Sequence, residues 1–154
     1  MGDEFEVRVA WPADASQKLP PDPAFSRNNR LAAPGKVEIP GSAPVVFGGD
    51  PQGYNPEELL LLSLSECHML TYLAIAAKRG VVVLQYEDRA TGVLGKGGQG
   101  NTQMTQAVLH PRVFVRKGTN LDEARAMHEK AHASCFIANS VNFPVRNEPE
   151  VVER

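Results

Sequence analysis

The sequence predicts an α+β fold in which antiparallel sheets pack around one long, buried central helix. Three observations predict it. The stretch Asn55 to Gly80 has a start signal, a long apolar body and a stop signal. Segments of alternating apolar and polar residues stand on both sides of it. Loops rich in Pro and Gly separate them, so the order reads strands, helix, strands, helix, strand, the arrangement of helices on antiparallel sheet. The 154 residues show no internal repeat and no linker, which predicts one domain over residues 1–154 with a real core.

The elements follow in order. Phe5, Val7, Val9 and Trp11 alternate with Glu6, Arg8 and Ala10, the pattern of a half-buried strand that Pro12 ends. Pro20, Pro21 and Pro23 mark a loop. Phe25 to Leu31 reads as a second strand carrying Arg27 and Arg30, and Lys36 to Ile39 as a short third. Residues 40–54 are loop; their glycines lack the Gly-Lys-Ser/Thr of a phosphate loop.

At Asn55 the helix begins. The Asn side chain can accept from a free N–H of the first turn, and Pro56 fits the first helical position. Glu57 and Glu58 face the positive end of the helix dipole, Glu58 at the capping-box position. Lys78 and Arg79 complement the other end, and Gly80 closes it. The body is about 24 residues, roughly 36 Å, and Leu59–Leu62, Leu64, Met69, Leu70, Leu73 and Ala74–Ala77 cover nearly every face. Such a helix is buried all round, so a subunit interface is expected to cover it.

Beyond it, Val81–Leu94 reads as a long strand and Thr102–Arg116 as its hairpin partner across Lys96–Asn101. Thr119 offers an N-cap, with Asp122 three residues on, for a second helix to about Ala133. A short helical or irregular piece carries Cys135 and Phe136 to Ser140, and Val141–Val145 and Val151–Val152 are candidate edge strands.

Composition narrows the function classes. Net charge is −2 and no basic run occurs, which argues against nucleic acid. Ser63, Ser65, Glu66, His68, Thr71 and Tyr72 interrupt the apolar helix, which argues against a membrane span. The first residues include Gly2, Asp3 and Glu4 and show no signal-peptide pattern, so a cytoplasmic location is expected. In that setting a structural disulfide between the two cysteines is disfavoured, leaving a redox pair or two buried thiols.

Two constellations could carry chemistry. Cys67 sits mid-helix among unexpected polar groups. It is either a small core residue or a thiol activated by a nearby cation. His68 points about 100° away from it, so Arg27 or Arg30 is the better candidate. His128-Glu129-Lys130-Ala131-His132 matches H-E-x-x-H, a zinc-hydrolase pattern with Glu129 as base. No third ligand follows in an extended motif, and the plain reading places His128 and His132 on a solvated or interface-facing side of the helix.

Asn55-Pro56-Glu57-Glu58-Leu59-Leu60, the following Leu-rich run and Ser65-Glu66-Cys67-His68 resemble the osmotically inducible protein C and organic hydroperoxide resistance (OsmC/Ohr) family, nearer its OsmC-like members. Phe25-Ser26-Arg27-Asn28, Phe47-Gly48-Gly49-Asp50 and Ser134–Val141 are similar to further family segments, in order and in spacing. The resemblance implies one OsmC-like domain in an intertwined homodimer, with the long helices at its centre. It implies a thiol-dependent peroxidase acting on organic hydroperoxides, with Cys67 peroxidatic, Cys135 resolving, Arg27 activating and Glu57 holding Arg27. No cofactor or metal is implied beyond an external dithiol reductant. Glu57 and Cys67 are ten residues apart, about 15 Å along a continuous helix. A shared site therefore draws them from different chains. Two alternatives remain: a non-catalytic small-molecule-binding dimer on the same scaffold, and a zinc hydrolase using His128 and His132.

Overall fold

Asn55 and Glu58 close a reciprocal capping box in the computed structural model, which describes residues 2–154. The Glu58 N–H donates to Asn55 Oδ1 (2.9 Å) and the Asn55 N–H to Glu58 Oε2 (3.1 Å). From there helix α1 runs unbroken over Pro56–Lys78. It ends as Gly80 predicts: Gly80 has φ 69°, its N–H donates to Ala77 O (3.3 Å), and the Val81 N–H donates to Ala76 O (3.0 Å).

The chain divides at Leu59 into two compact units. In the first, strands β1 (Arg8–Ala10), β2 (Asn29–Ala32) and β3 (Ile39–Gly41) form an antiparallel sheet in that order, with Val9 opposite Leu31 and Leu31 opposite Ile39. The loop after β3 is held by polar side chains. Ser42 Oγ donates to Asn28 Oδ1 (2.9 Å) and accepts from the Asp50 N–H (2.9 Å), while Asn28 Nδ2 donates to Asp50 Oδ2 (3.2 Å). Gly49 lies in this loop because nothing larger fits: a Cβ there would stand 1.7 Å from the Ala43 carbonyl oxygen. Gly49→Ala is therefore expected to lower stability by at least about 2 kcal/mol. Gly98→Ala, where a Cβ meets open space, should be near neutral. Urea unfolding of the two variants checks this.

The second unit holds β4 (Val83–Glu87), β5 (Thr91–Lys96), β6 (Thr102–Leu109), β7 (Arg112–Val115), helix α2 (Leu121–Ser134), β8 (Val145–Asn147) and β9 (Glu150–Glu153). Two predicted elements are corrected. The long strand over 81–94 is interrupted at 88–90, and its partner over 102–116 breaks at His110-Pro111, where proline has no N–H to give a ladder. The halves go to different sheets: β5 pairs with β6 as the predicted hairpin, whereas β4 pairs with β7. The sheets are also mixed rather than purely antiparallel, because β8 lies parallel to β6 and β9 parallel to β7. The N-cap of α2 is Asn120, one residue after the predicted Thr119; its side chain accepts from the Asp122 and Glu123 N–H groups.

The core explains why α1 crosses this unit. Tyr72 and Ala76 pack with Val113, Val115, Ala124, Met127, Ala131 and Val151, and Leu64 packs with Ala107 and Leu109. The expectation of burial all round is corrected for the single chain. Only the stripe Leu64, His68, Tyr72 and Ala76 is buried, one residue per turn facing sheet and α2. Leu62 and Leu70, on the other side, are 52% and 55% exposed.

Candidate functional site

The two cysteines meet where α1 and α2 come together. Cys67 is half-buried in the middle of α1, and its carbonyl accepts from Thr71 Oγ1 (2.8 Å). Cys135 caps the C-terminus of α2 in extended conformation and is 1% exposed. Its N–H donates to His132 O (3.2 Å), and its Sγ accepts from the Ala138 N–H (3.4 Å). The Cys135 thiol is pushed up to about 11, first by burial and next by a hydrogen bond with Cys67, against the pull of the Ala138 and Ile137 amides. Burial thus holds Cys135 as a thiol. The neighbouring Phe136 is 80% exposed.

Arg27 and Glu57 belong to the first unit. The Arg27 guanidinium lies 4.3 Å from the Phe25 ring centroid, and Nη1 donates to Phe25 O (2.8 Å). Gly48, at φ 79°, leaves it room: a Cβ there would sit 3.2 Å from Arg27 Cζ. The guanidinium borders a cavity of about 390 Å³ lined by Trp11, Pro20, Phe25, Asn29 and Pro56 among others. Arg30 is engaged elsewhere, 3.7 Å from Glu38 across the sheet. Glu57 has a buried Oε2 without a partner. Among the described residues no ion pair joins Arg27 to Glu57, so the expected hold of that acid on that base is not formed inside one chain.

The H-E-x-x-H stretch does something other than the pattern suggests. His128 is 1% exposed, which corrects the solvated-face reading. Its Nδ1 is 3.0 Å from Nε2 of His68, the two rings are within 8° of parallel, and Tyr72 stacks on His128 at 4.1 Å. Burial holds both imidazoles neutral, His68 down to about 4 and His128 to about 3. His132 lowers His68 further and Asp88 opposes. Glu129 is exposed. Among the described residues no three His, Cys, Asp or Glu side chains gather as a metal site, so the zinc reading lacks its third protein ligand.

The sequence reading left His68 without a partner, yet one signal was present: His68 is in step with Leu64, Tyr72 and Ala76, the stripe that faces inward. Asp88 was missed altogether. Its carboxylate accepts from Ser65 Oγ and from the His110 N–H, tying α1 to the segment between β4 and β5.

With this geometry in hand, comparison with known proteins is specific. A family model described as OsmC-like protein matches residues 48–150. An OsmC-like protein of unknown function from Vibrio cholerae is 36% identical, with a TM-score of 0.86 over 97% of this chain and 100% of that one. A Legionella pneumophila structure described as an organic hydroperoxide resistance protein OsmC is 18% identical, with a TM-score of 0.70 over 97% of each chain, a likeness of fold. The uncharacterized Bacillus subtilis protein YmaD is 23% identical over 112 residues, 71% of this chain and 74% of that protein.

Proposed function

Because the chain belongs to the OsmC-like family, we propose that it is a thiol-dependent peroxidase that reduces organic hydroperoxides through Cys67 and Cys135 in a homodimer. The observation that carries this reading is the pair of neighbouring thiols, one half-exposed on α1 and one buried at the end of α2. The Cys67 thiolate attacks the terminal oxygen of the hydroperoxide and the O–O bond breaks. The alkoxide leaves and takes up a proton as the alcohol, and Cys67 becomes a sulfenic acid. The Cys135 thiol then displaces water to form the Cys67–Cys135 disulfide. An external dithiol reduces that disulfide by exchange and departs as its own disulfide.

Arg27 is suited to receive the substrate. Its cation would steady the developing negative charge, while Trp11, Pro20 and Phe25 give an organic group an apolar wall. A hydroperoxide with a carbon tail gains from that wall and hydrogen peroxide does not. Loss of both thiols on adding one equivalent of an organic hydroperoxide, with the alcohol as product, tests the chemistry. Thiols that survive excess peroxide would leave a non-catalytic binding protein.

The dimer rests on exposed apolar surface. Leu62 and Leu70 on α1, and Val7, Val9 and Val37 around the three-stranded sheet, stand in solvent in the single chain. An apolar cleft of about 360 Å³ runs past Val7, Val9, Leu31, Val37, Ile39 and Leu59. A second copy covers this surface in the proposed assembly, and the unpartnered Glu57 carboxylate works with Cys67 of the other chain. Subunit mixing tests the arrangement. Cys67→Ser and Glu57→Ala homodimers are each expected to be impaired. In the mixed dimer one site keeps both residues, so an equal mixture should recover about a quarter of wild-type activity. A mixture no more active than its parents would place both residues of a site in one chain.

A further inference from the structure

Building on the two-thiol reading, we infer that His68 and His128 are positioning residues whose hydrogen bond fixes the register between α1 and α2 and so keeps Cys67 and Cys135 within reach of each other. Three side-chain ties join the two helices. They step up α1 as they step down α2: His68 to His128 (3.0 Å), Tyr72 Oη to Ala124 O (3.1 Å) and, from the turn just after α1, Arg79 to Glu123 (2.8 Å). The His68–His128 tie is the one nearest the thiols. His68 follows Cys67 directly, and His128 precedes Cys135 by two turns of the same helix. It is also fully buried, whereas the Arg79–Glu123 tie is solvent-exposed and correspondingly weak.

The packing around these ties cannot by itself select a register. On α2 the facing side chains are mainly Ala124, Met127 and Ala131, small or pliant groups that another alignment accommodates. A polar pair in an apolar interface is different. Sliding one helix by a turn, about 5.4 Å, would separate the imidazoles and leave both hydrogen-bonding nitrogens unpaired. Their outer nitrogens, His68 Nδ1 and His128 Nε2, already lack partners, so no substitute bond is at hand. A single buried polar pair specifies alignment in this way between packed helices. Tyr72, stacked on His128, holds the ring plane that the bond requires.

The test is the thiol–disulfide equilibrium of the full chain, read by alkylation and mass after incubation in mixtures of reduced and oxidised dithiothreitol. His128→Phe keeps a flat ring on Tyr72 and removes one partner of the hydrogen bond. Its equilibrium should shift toward the free thiols by about tenfold or more, roughly 30 mV for each tenfold. His68→Gln, whose amide can stand in for Nε2, should stay within about threefold of wild type. If His128→Phe does not fold, the double variant His68→Phe/His128→Phe removes both polar partners together and carries the same expectation. A folded variant without the pair whose equilibrium lies within about twofold of wild type overturns the inference, even if its melting temperature has fallen. A wild-type chain that forms no disulfide under oxidising conditions strikes the two-thiol reading itself.

Discussion

Cys67→Ser is expected to abolish hydroperoxide reduction, with turnover falling by at least on the order of 10³-fold. A serine hydroxyl fills nearly the same space, but at neutral pH it is neither ionised nor polarisable enough to attack an O–O bond. The fold should be indifferent, because Cys67 is only half-buried and its backbone tie to Thr71 does not involve the sulfur. Cys135→Ser should separate the two half-reactions. It retains the first, consuming one equivalent of hydroperoxide and leaving a sulfenic acid on Cys67 that a dione reagent traps. It loses recycling by a dithiol that acts through the disulfide. Peroxide loss followed over one and over many turnovers, with the mass of the trapped adduct, distinguishes the two variants. A Cys67→Ser chain that still turns over would remove the thiol from the mechanism. A Cys135→Ser chain with undiminished dithiol-driven turnover would show that Cys135 does not resolve the sulfenic acid.

Local chemistry made the long helix legible. The capping box at Asn55 and Glu58 and the Gly80 stop act over three or four residues, so the sequence displays both partners of each interaction. The first strand was legible through alternation, although β1 is shorter than the Phe5–Trp11 pattern. The next two lie further along than read, β2 at Asn29–Ala32 instead of Phe25–Leu31 and β3 at Ile39–Gly41 instead of Lys36–Ile39, so that Pro40 and Gly41 pair in the sheet rather than in a loop. What failed depends on distant partners. Val81–Leu94 and Thr102–Arg116 look like one hairpin because the turn-forming residues Lys96–Asn101 join two stretches rich in apolar residues. Pro111 and the break at Asp88 send their halves to separate sheets, and the parallel additions β8 and β9 join residues about 40 apart in sequence. The H-E-x-x-H pattern misled because it reports only that two imidazoles share a helix face. It cannot report that one of them is already bonded to a histidine 60 residues earlier. The site was thus readable residue by residue in its cysteines, while the imidazole pair beside them was readable only from the packed helices.

That pair also predicts how the protein meets acid. In the unfolded chain each histidine titrates at its ordinary value of 6.5; in the folded chain His68 titrates near 4 and His128 near 3. Burial is the first cause for both. The facing groups are His128, His132 and Asp88 around His68, and His68, Tyr72 and Tyr86 around His128. Of these only the Asp88 carboxylate favours a charged imidazole. Since the folded values lie below the unfolded one, the unfolded chain binds more protons between about pH 6.5 and pH 4. Stability must fall as pH drops through that window, by on the order of 1.4 kcal/mol per pH unit for each histidine. Above pH 7 the contribution is complete and flat. Carboxylates that titrate near their usual values act mostly lower on the scale, so loss of stability already between pH 6.5 and 5 points to the imidazoles. The check is urea unfolding at half-unit steps from pH 7.5 to 4.5, for wild type and for His68→Phe/His128→Phe. Wild type should show the slope and the double variant should lack most of it. Equal slopes in the two proteins would mean that the imidazoles take up protons without unfolding. In that case the pair is open to water, and the register argument built on its burial loses its footing.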